Sequence, residues 1–108
     1  MSYDITIKRG DTRNCIKAVL KDATGNSVDL TGCSVDFHMV PLCGTTVIKR
    51  AAHIQDASAG EVWFVWNPGD TDVAGVYRAE FEVVYMDGRK ETFPNSGYIS
   101  IKILSDLG

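Results

Sequence analysis

The chain has 108 residues, of which 44% are hydrophobic and 23% charged, with a formal net charge of −3. Those values fit one globular domain spanning residues 1–108 that can bury its own core, and they exclude a disordered chain. The acidic balance argues against a nucleic-acid partner, which selects a basic face, and no apolar run approaches the roughly 20 residues needed to cross a bilayer.

The N-terminus, Met1-Ser2-Tyr3-Asp4-Ile5, carries neither a basic leader nor an apolar run, so synthesis in a cytosol without export by that route is expected. From there period-two alternation runs the length of the chain, broken by turn residues. Asp4 to Lys8 alternates and stops at Gly10-Asp11. Cys15 to Lys21 sets Ile16, Ala18 and Leu20 on one face, with Lys17 and Lys21 on the other. Asp22 to Asn26 is turn chemistry, and a short stretch at Val28-Asp29-Leu30 ends at Thr31-Gly32. Ser34 to Val40 points Val35, Phe37 and Met39 inward and Asp36 and His38 outward, and Pro41 ends it by withholding a ladder donor.

Thr46 to Gln55 reads as one less regular strand, followed by a turn from Asp56 to Gly60. Glu61 to Trp66 places Val62, Phe64 and Trp66 on one face before Asn67-Pro68-Gly69-Asp70 breaks it. The longest strand, Val76 to Met86, stripes Tyr77, Ala79, Phe81, Val83 and Tyr85 against Arg78, Glu80 and Glu82. Asp87-Gly88 is a strong hairpin signal and predicts a type I′ turn. Arg89 to Phe93 returns to Pro94, and Tyr98 to Leu104 sends Ile99, Ile101 and Ile103 inward. About eight short strands with no amphipathic helix predict an all-β fold of two antiparallel sheets packed face to face, with a closed barrel as the alternative. The expected core joins Phe37, Phe64, Trp66, Tyr77, Phe81 and Ile101.

Candidate chemistry is sparse. Three cysteines, Cys15, Cys33 and Cys43, leave at least one unpaired, and no CxxC or Cys/His spacing suits a metal, so reduced thiols are expected. A Cys43–His53–Asp56 set can be written down, but no spacing requires it. His38 and His53 are predicted on outward faces of different strands. Glu80 and Glu82 share a face with Arg78, which reads as solvated rather than as a glycosidase pair. Asp56, Asp70 and Asp72 fit turn and cap positions better than the six to eight oxygens that calcium requires. Gly69-Asp70-Thr71 lacks the following Lys-Ser/Thr of a phosphate loop. The expectation is therefore no catalytic residue, no metal and no cofactor.

Some apolar residues are left over. Trp63 and Val65 lie opposite the Trp66 stripe, and Val76, Val84 and Met86 opposite the Tyr77 stripe. If both stripes face the core, these five are outside, and a contiguous apolar surface marks an interface. They are the candidate interface residues, and association into a homo-oligomer or docking on another protein is expected.

Two resemblances sharpen this reading. Asp72-Val73-Ala74-Gly75-Val76-Tyr77-Arg78-Ala79 resembles the immunoglobulin pattern at strand F, where a tyrosine hydroxyl bonds back across the corner. The half-cystine of antibody domains is replaced by Ala79, so no inter-sheet disulfide forms at that site. Over nearly the whole chain, Gly10-Asp11-Thr12, Val28-Asp29-Leu30-Thr31-Gly32, Val35-x-Phe37-x-Met39, Asp56-x-x-x-Gly60 and Val62-x-Phe64-x-Trp66 follow one another. They are succeeded by Gly69-Asp70-Thr71, Gly75-x-Tyr77-x-Ala79-x-Phe81, Asp87-Gly88 and Thr92-Phe93-Pro94. This succession resembles the N-terminal immunoglobulin-like domain of phage baseplate upper proteins and of related small phage and prophage tail proteins. The resemblance implies an immunoglobulin-like sandwich and a structural role in a virion tail, after synthesis in a bacterial cytoplasm. It further implies contacts with other tail proteins and no catalysis. In that family the module usually begins a longer protein carrying receptor-binding parts, and a chain ending at Gly108 fits either a small stand-alone tail protein or an excised domain. The alternative is a carbohydrate- or host-surface-binding module, for which a groove beside Trp63 is the expected mark.

Overall fold

Alternating side chains send every second residue of a strand to the same side, so two half-apolar sheets bury their apolar faces against each other. The computed structural model, which describes residues 3–43 and 47–105, realises this as nine strands with no helix among those residues. They are β1 (Ile5–Lys8), β2 (Ile16–Val19), β3 (Ser34–Pro41), β4 (Ile48–Ala51), β5 (His53–Asp56), β6 (Glu61–Phe64), β7 (Gly75–Val84), β8 (Lys90–Phe93) and β9 (Ile99–Leu104).

A six-stranded sheet runs in the order β1-β9-β7-β3-β4, with β8 also on β7, and a three-stranded sheet runs β2-β6-β5. β7 is the hub. One of its edges pairs with β3 from Tyr77 to Val84. The other is shared, β9 taking Gly75–Ala79 and β8 taking Phe81–Val84. Only β1 and β9 are parallel. The fold is an immunoglobulin-like sandwich, and the barrel alternative does not apply because the two sheets stay separate.

Several expectations need correcting in detail. The strand read from Thr46 to Gln55 is two strands in different sheets, β4 on β3 and β5 on β6. Ala52, between them, donates its N–H to the Val35 carbonyl at 2.8 Å while the chain crosses the sandwich. Thr46 itself lies outside the described residues. Val28-Asp29-Leu30 is no strand; one bridge, Lys21 to Ser27, precedes it, and Leu30 is fully buried with its N–H on the Ala57 carbonyl. The Asp87-Gly88 turn is not type I′, since that requires positive φ at both residues and only Gly88 has it. The Gly88 N–H instead reaches the Tyr85 carbonyl at 2.9 Å and Tyr85 N–H the Arg89 carbonyl at 2.8 Å, a three-residue loop with glycine in the left-handed position.

The core follows the alternation. Val35, Phe37 and Met39 of β3, Val62 and Phe64 of β6, and Tyr77, Ala79, Phe81 and Val83 of β7 are buried, joined by Trp66, Phe93, Ile101 and Ile103. Phe37 stacks on Phe64 at 4.1 Å between ring centroids and meets Phe81 edge-on at 5.3 Å, while Trp66 stands edge-on to Phe64 at 5.4 Å. Rings in these offset and edge geometries add to the area they bury. The Tyr77 hydroxyl donates to the Val73 carbonyl at 2.6 Å, the corner bond expected of an immunoglobulin-like strand F.

Candidate functional site

The two sheets leave two outer faces and two loop ends. On the small sheet's outer face Trp63 sits between Lys17 of β2 and His53 of β5. Lys17 Nζ lies 4.4 Å from the ring centroid, and the indole N–H donates to Glu61 Oε2 at 2.8 Å. A cation thus covers one ring face and a carboxylate satisfies the donor. Trp63 lines none of the depressions described below.

On the large sheet's outer face Val76 and Val84 fall at opposite ends of β7, roughly 26 Å apart at strand rise, with Arg78, Glu80 and Glu82 between them. Met86 is 82% exposed in the β7–β8 turn, yet its sulfur lies where a Cβ on Gly32 would stand, 2.4 Å from it. The five candidate residues therefore do not form one surface. Trp63 belongs to the small sheet, Val65 follows its strand β6, Val76 and Val84 belong to the large sheet, and Met86 to a turn.

The structure does gather exposed apolar residues elsewhere. At the end where β3, β6 and β9 finish, Leu42 (53%), Val47 (54%), Val65 (57%) and Val73 (56%) are all exposed, and Leu104 (37%) joins them. These are five of the eight large exposed hydrophobics among the described residues. Leu42, Val73 and Val76 line an apolar depression of about 290 Å³ together with Pro41, Cys43 and Tyr77. Sequence alternation marks Val65, just after β6, and Val76, which borders the depression; Leu42, Val47 and Val73 lie outside the strands, where no period marks them, and Leu104 is the last residue of β9.

Side-chain bonds tie down the segment between β6 and β7 at this end. Arg50 of β4 grips Asp70 through two hydrogen bonds, Nη1 to Oδ1 at 3.1 Å and Nη2 to Oδ2 at 2.7 Å, and also donates to the Val65 carbonyl at 3.3 Å. The guanidinium lies 4.7 Å from the Phe64 ring centroid, capping the aromatic core. Burial alone would raise the Asp70 carboxyl, but hydrogen bonds from Arg50 and from the Asn67 N–H, with the Arg50 charge, hold it below its ordinary value. Thr71, fully buried, donates its hydroxyl to the Asp11 carbonyl at 2.9 Å and ties the β1–β2 loop to the same knot.

No catalytic constellation assembles from the residues weighed for one. Cys43 borders the Leu42 depression, whereas His53 stands beside Trp63 on the small sheet. The Asp56 carboxylate instead caps its own turn, accepting from the Ser58 hydroxyl and the Ala59 N–H. Cys15, Cys33 and Cys43 are free thiols. Burial, followed by the charges of Asp29 and Asp87, pushes the Cys33 thiol up, opposite to what activates a nucleophile. Burial and then the Glu91 carboxylate, which accepts from the Tyr85 hydroxyl at 2.5 Å, push that phenol up to about 12. Asp22 and Asp29 are held low chiefly by the hydroxyls of Thr24 and Thr31, each two residues on, as side-chain turns require. No group of three or more His, Cys, Asp or Glu side chains among the described residues is placed to hold a metal ion. No helix there is long and apolar enough to cross a membrane.

What the geometry defines is a small immunoglobulin-like sandwich with one apolar loop end. The chain belongs to the BppU N-terminal domain family, whose model matches residues 1–100. It is thus a structural domain of the phage baseplate, a component of the virion tail. Among solved structures, CopC from Methylosinus trichosporium OB3b aligns with a TM-score of 0.55 over 96% of this chain and 88% of that one. At 15% identity that likeness concerns the fold alone. A search of curated proteins returned no match.

Proposed function

We propose that this domain is a non-enzymatic assembly module that docks onto other tail proteins through its apolar loop end, with self-association as the second mode of the same surface. The family match over residues 1–100 carries the reading, because a baseplate component acts through the proteins it contacts. The loop end supplies the means: five exposed apolar residues lie there, and the segment carrying Val65 and Val73 is tied down by the Arg50–Asp70 and Thr71–Asp11 bonds, which lowers the cost of association. Of the sequence-derived candidates, Val65 and Val76 belong to this end, whereas Trp63, Val84 and Met86 do not. Pull-down of the domain against the tail proteins of its own gene cluster tests the reading. At least one should be retained, and retention should be lost when the loop end carries charge.

A further inference from the structure

The large sheet forks. Glu80 falls between the residues of β7 held by β9 and those held by β8, and pairs with neither. After Phe93 the chain arches through residues 94–98 before rejoining the sheet as β9. Parting strands leave a wedge that a continuous sheet would fill, and a depression of about 220 Å³ opens there on the outer face. His38 and Val40 of β3 and Arg78 and Glu80 of β7 form its floor, with Gly97 and Tyr98 of the arch beside them.

The side chains at this fork are not consumed by the fold. Tyr98 is 51% exposed as a residue, with the Arg78 guanidinium 5.7 Å from its ring centroid. His38, Arg78 and Glu80 make no side-chain hydrogen bond or ion pair with any described residue. A concave site with an aromatic face and a few convergent polar groups is the general form of a small-ligand site. Here the polar groups are a guanidinium that only donates, a carboxylate that accepts at two oxygens, and an imidazole that can do either. Arg78 and Glu80 cancel in charge, so an anion meets the carboxylate and a cation meets the guanidinium. A neutral ring bearing several hydroxyls satisfies every group at once, with its C–H face on Tyr98.

We propose that the fork between β8 and β9 binds one neutral sugar ring, stacked on Tyr98 and hydrogen-bonded through its hydroxyls to Glu80, Arg78 and His38. This is separate from the loop-end docking surface and does not depend on it. The test is a titration of the isotope-labelled chain, followed by amide NMR shifts, with the methyl glycosides of glucose, galactose and N-acetylglucosamine and with inorganic phosphate. At least one glycoside should saturably shift residues 38–40, 78–80 and 97–98, with a dissociation constant on the order of millimolar. Tyr98→Ala should weaken that binding by about tenfold, the scale of one stacking contact, with the remaining spectrum unchanged. Glu80→Gln, which keeps an acceptor oxygen but removes the charge, should weaken the glycoside. Three results each overturn the proposal: no glycoside shifting these residues, shifts that persist in Tyr98→Ala, or phosphate shifting them while the glycosides do not.

Discussion

Arg50 and Asp70 are twenty residues apart, and their two-bonded pair ties β4 to the loop after β6. The Asp70 side chain is 12% exposed, so losing its carboxylate strands a guanidinium that already lies against Phe64. Asp70→Asn should cost about 1–3 kcal/mol, the range for hydrogen bonds to charged groups. Because the folded carboxyl titrates below the unfolded value of 3.8, its contribution is complete above that value and disappears as pH falls through the folded one. Urea midpoints of the wild type and Asp70→Asn should therefore differ at neutral pH and converge as the pH falls below 3.8. A gap that persists in acid would assign the loss to packing. At the centre of the core Phe81 is fully buried, touching Phe37 edge-on, and Phe81→Ala should cost about 3–5 kcal/mol by the same denaturant measurement.

Among the elements, strands were legible in proportion to the clarity of their alternation. β3, β7 and β9 read directly, since Phe37, Phe81 and Ile101 each fall in step with apolar neighbours two residues away and all end fully buried. The β4–β5 segment misled because Ile48, Arg50, Ala52 and Ile54 keep step across a change of sheet, and a backbone that crosses the sandwich at Ala52 leaves no mark in a period of two. Arg50 adds to the difficulty, being a charged residue in an inward position whose partner, Asp70, lies in a distant loop. The Asp87-Gly88 turn was legible as a hairpin, but its type depended on whether Asp87 accepts positive φ, which composition does not decide. Asp56 to Gly60 was read as a turn, yet its packing was not visible. A Cβ on Gly60, at φ +71°, would stand 2.8 Å from the Val28 carbonyl oxygen and 3.0 Å from that of Leu20. Both neighbours are backbone, and the Leu20 N–H in turn bonds the Gly60 carbonyl at 2.8 Å. Gly60→Ala should therefore cost roughly 1–3 kcal/mol from conformational strain, with the steric conflict added. Gly25→Ala, at φ +90° with open space around its Cβ, isolates the conformational part. Equal losses in thermal melts of the two variants would show that the close approach at Gly60 is without consequence.

For the whole molecule the question is which surface carries assembly. The sandwich is elongated, 47 by 27 by 22 Å, so its two loop ends are well separated. One end carries Leu42, Val47, Val65, Val73 and Leu104, while the other carries Met86, whose side chain is partly taken up against Gly32. A net charge of −3 gives little repulsion to keep apolar ends of neighbouring molecules apart. Val73→Asp and Leu42→Asp place charge in exposed loop positions and should leave the fold intact, since neither residue belongs to the core cluster. Each should abolish capture of the tail partner, and any self-association seen by light scattering, because an unpaired charge buried at an interface is costly. Val84→Asp, at the far end of β7, serves as the control and should retain partner binding. Loss of binding in Val84→Asp with retention in Val73→Asp would move the docking surface to the open face of the large sheet. A wild-type chain that stays strictly monomeric and captures no protein of its own tail cluster would remove the assembly reading altogether.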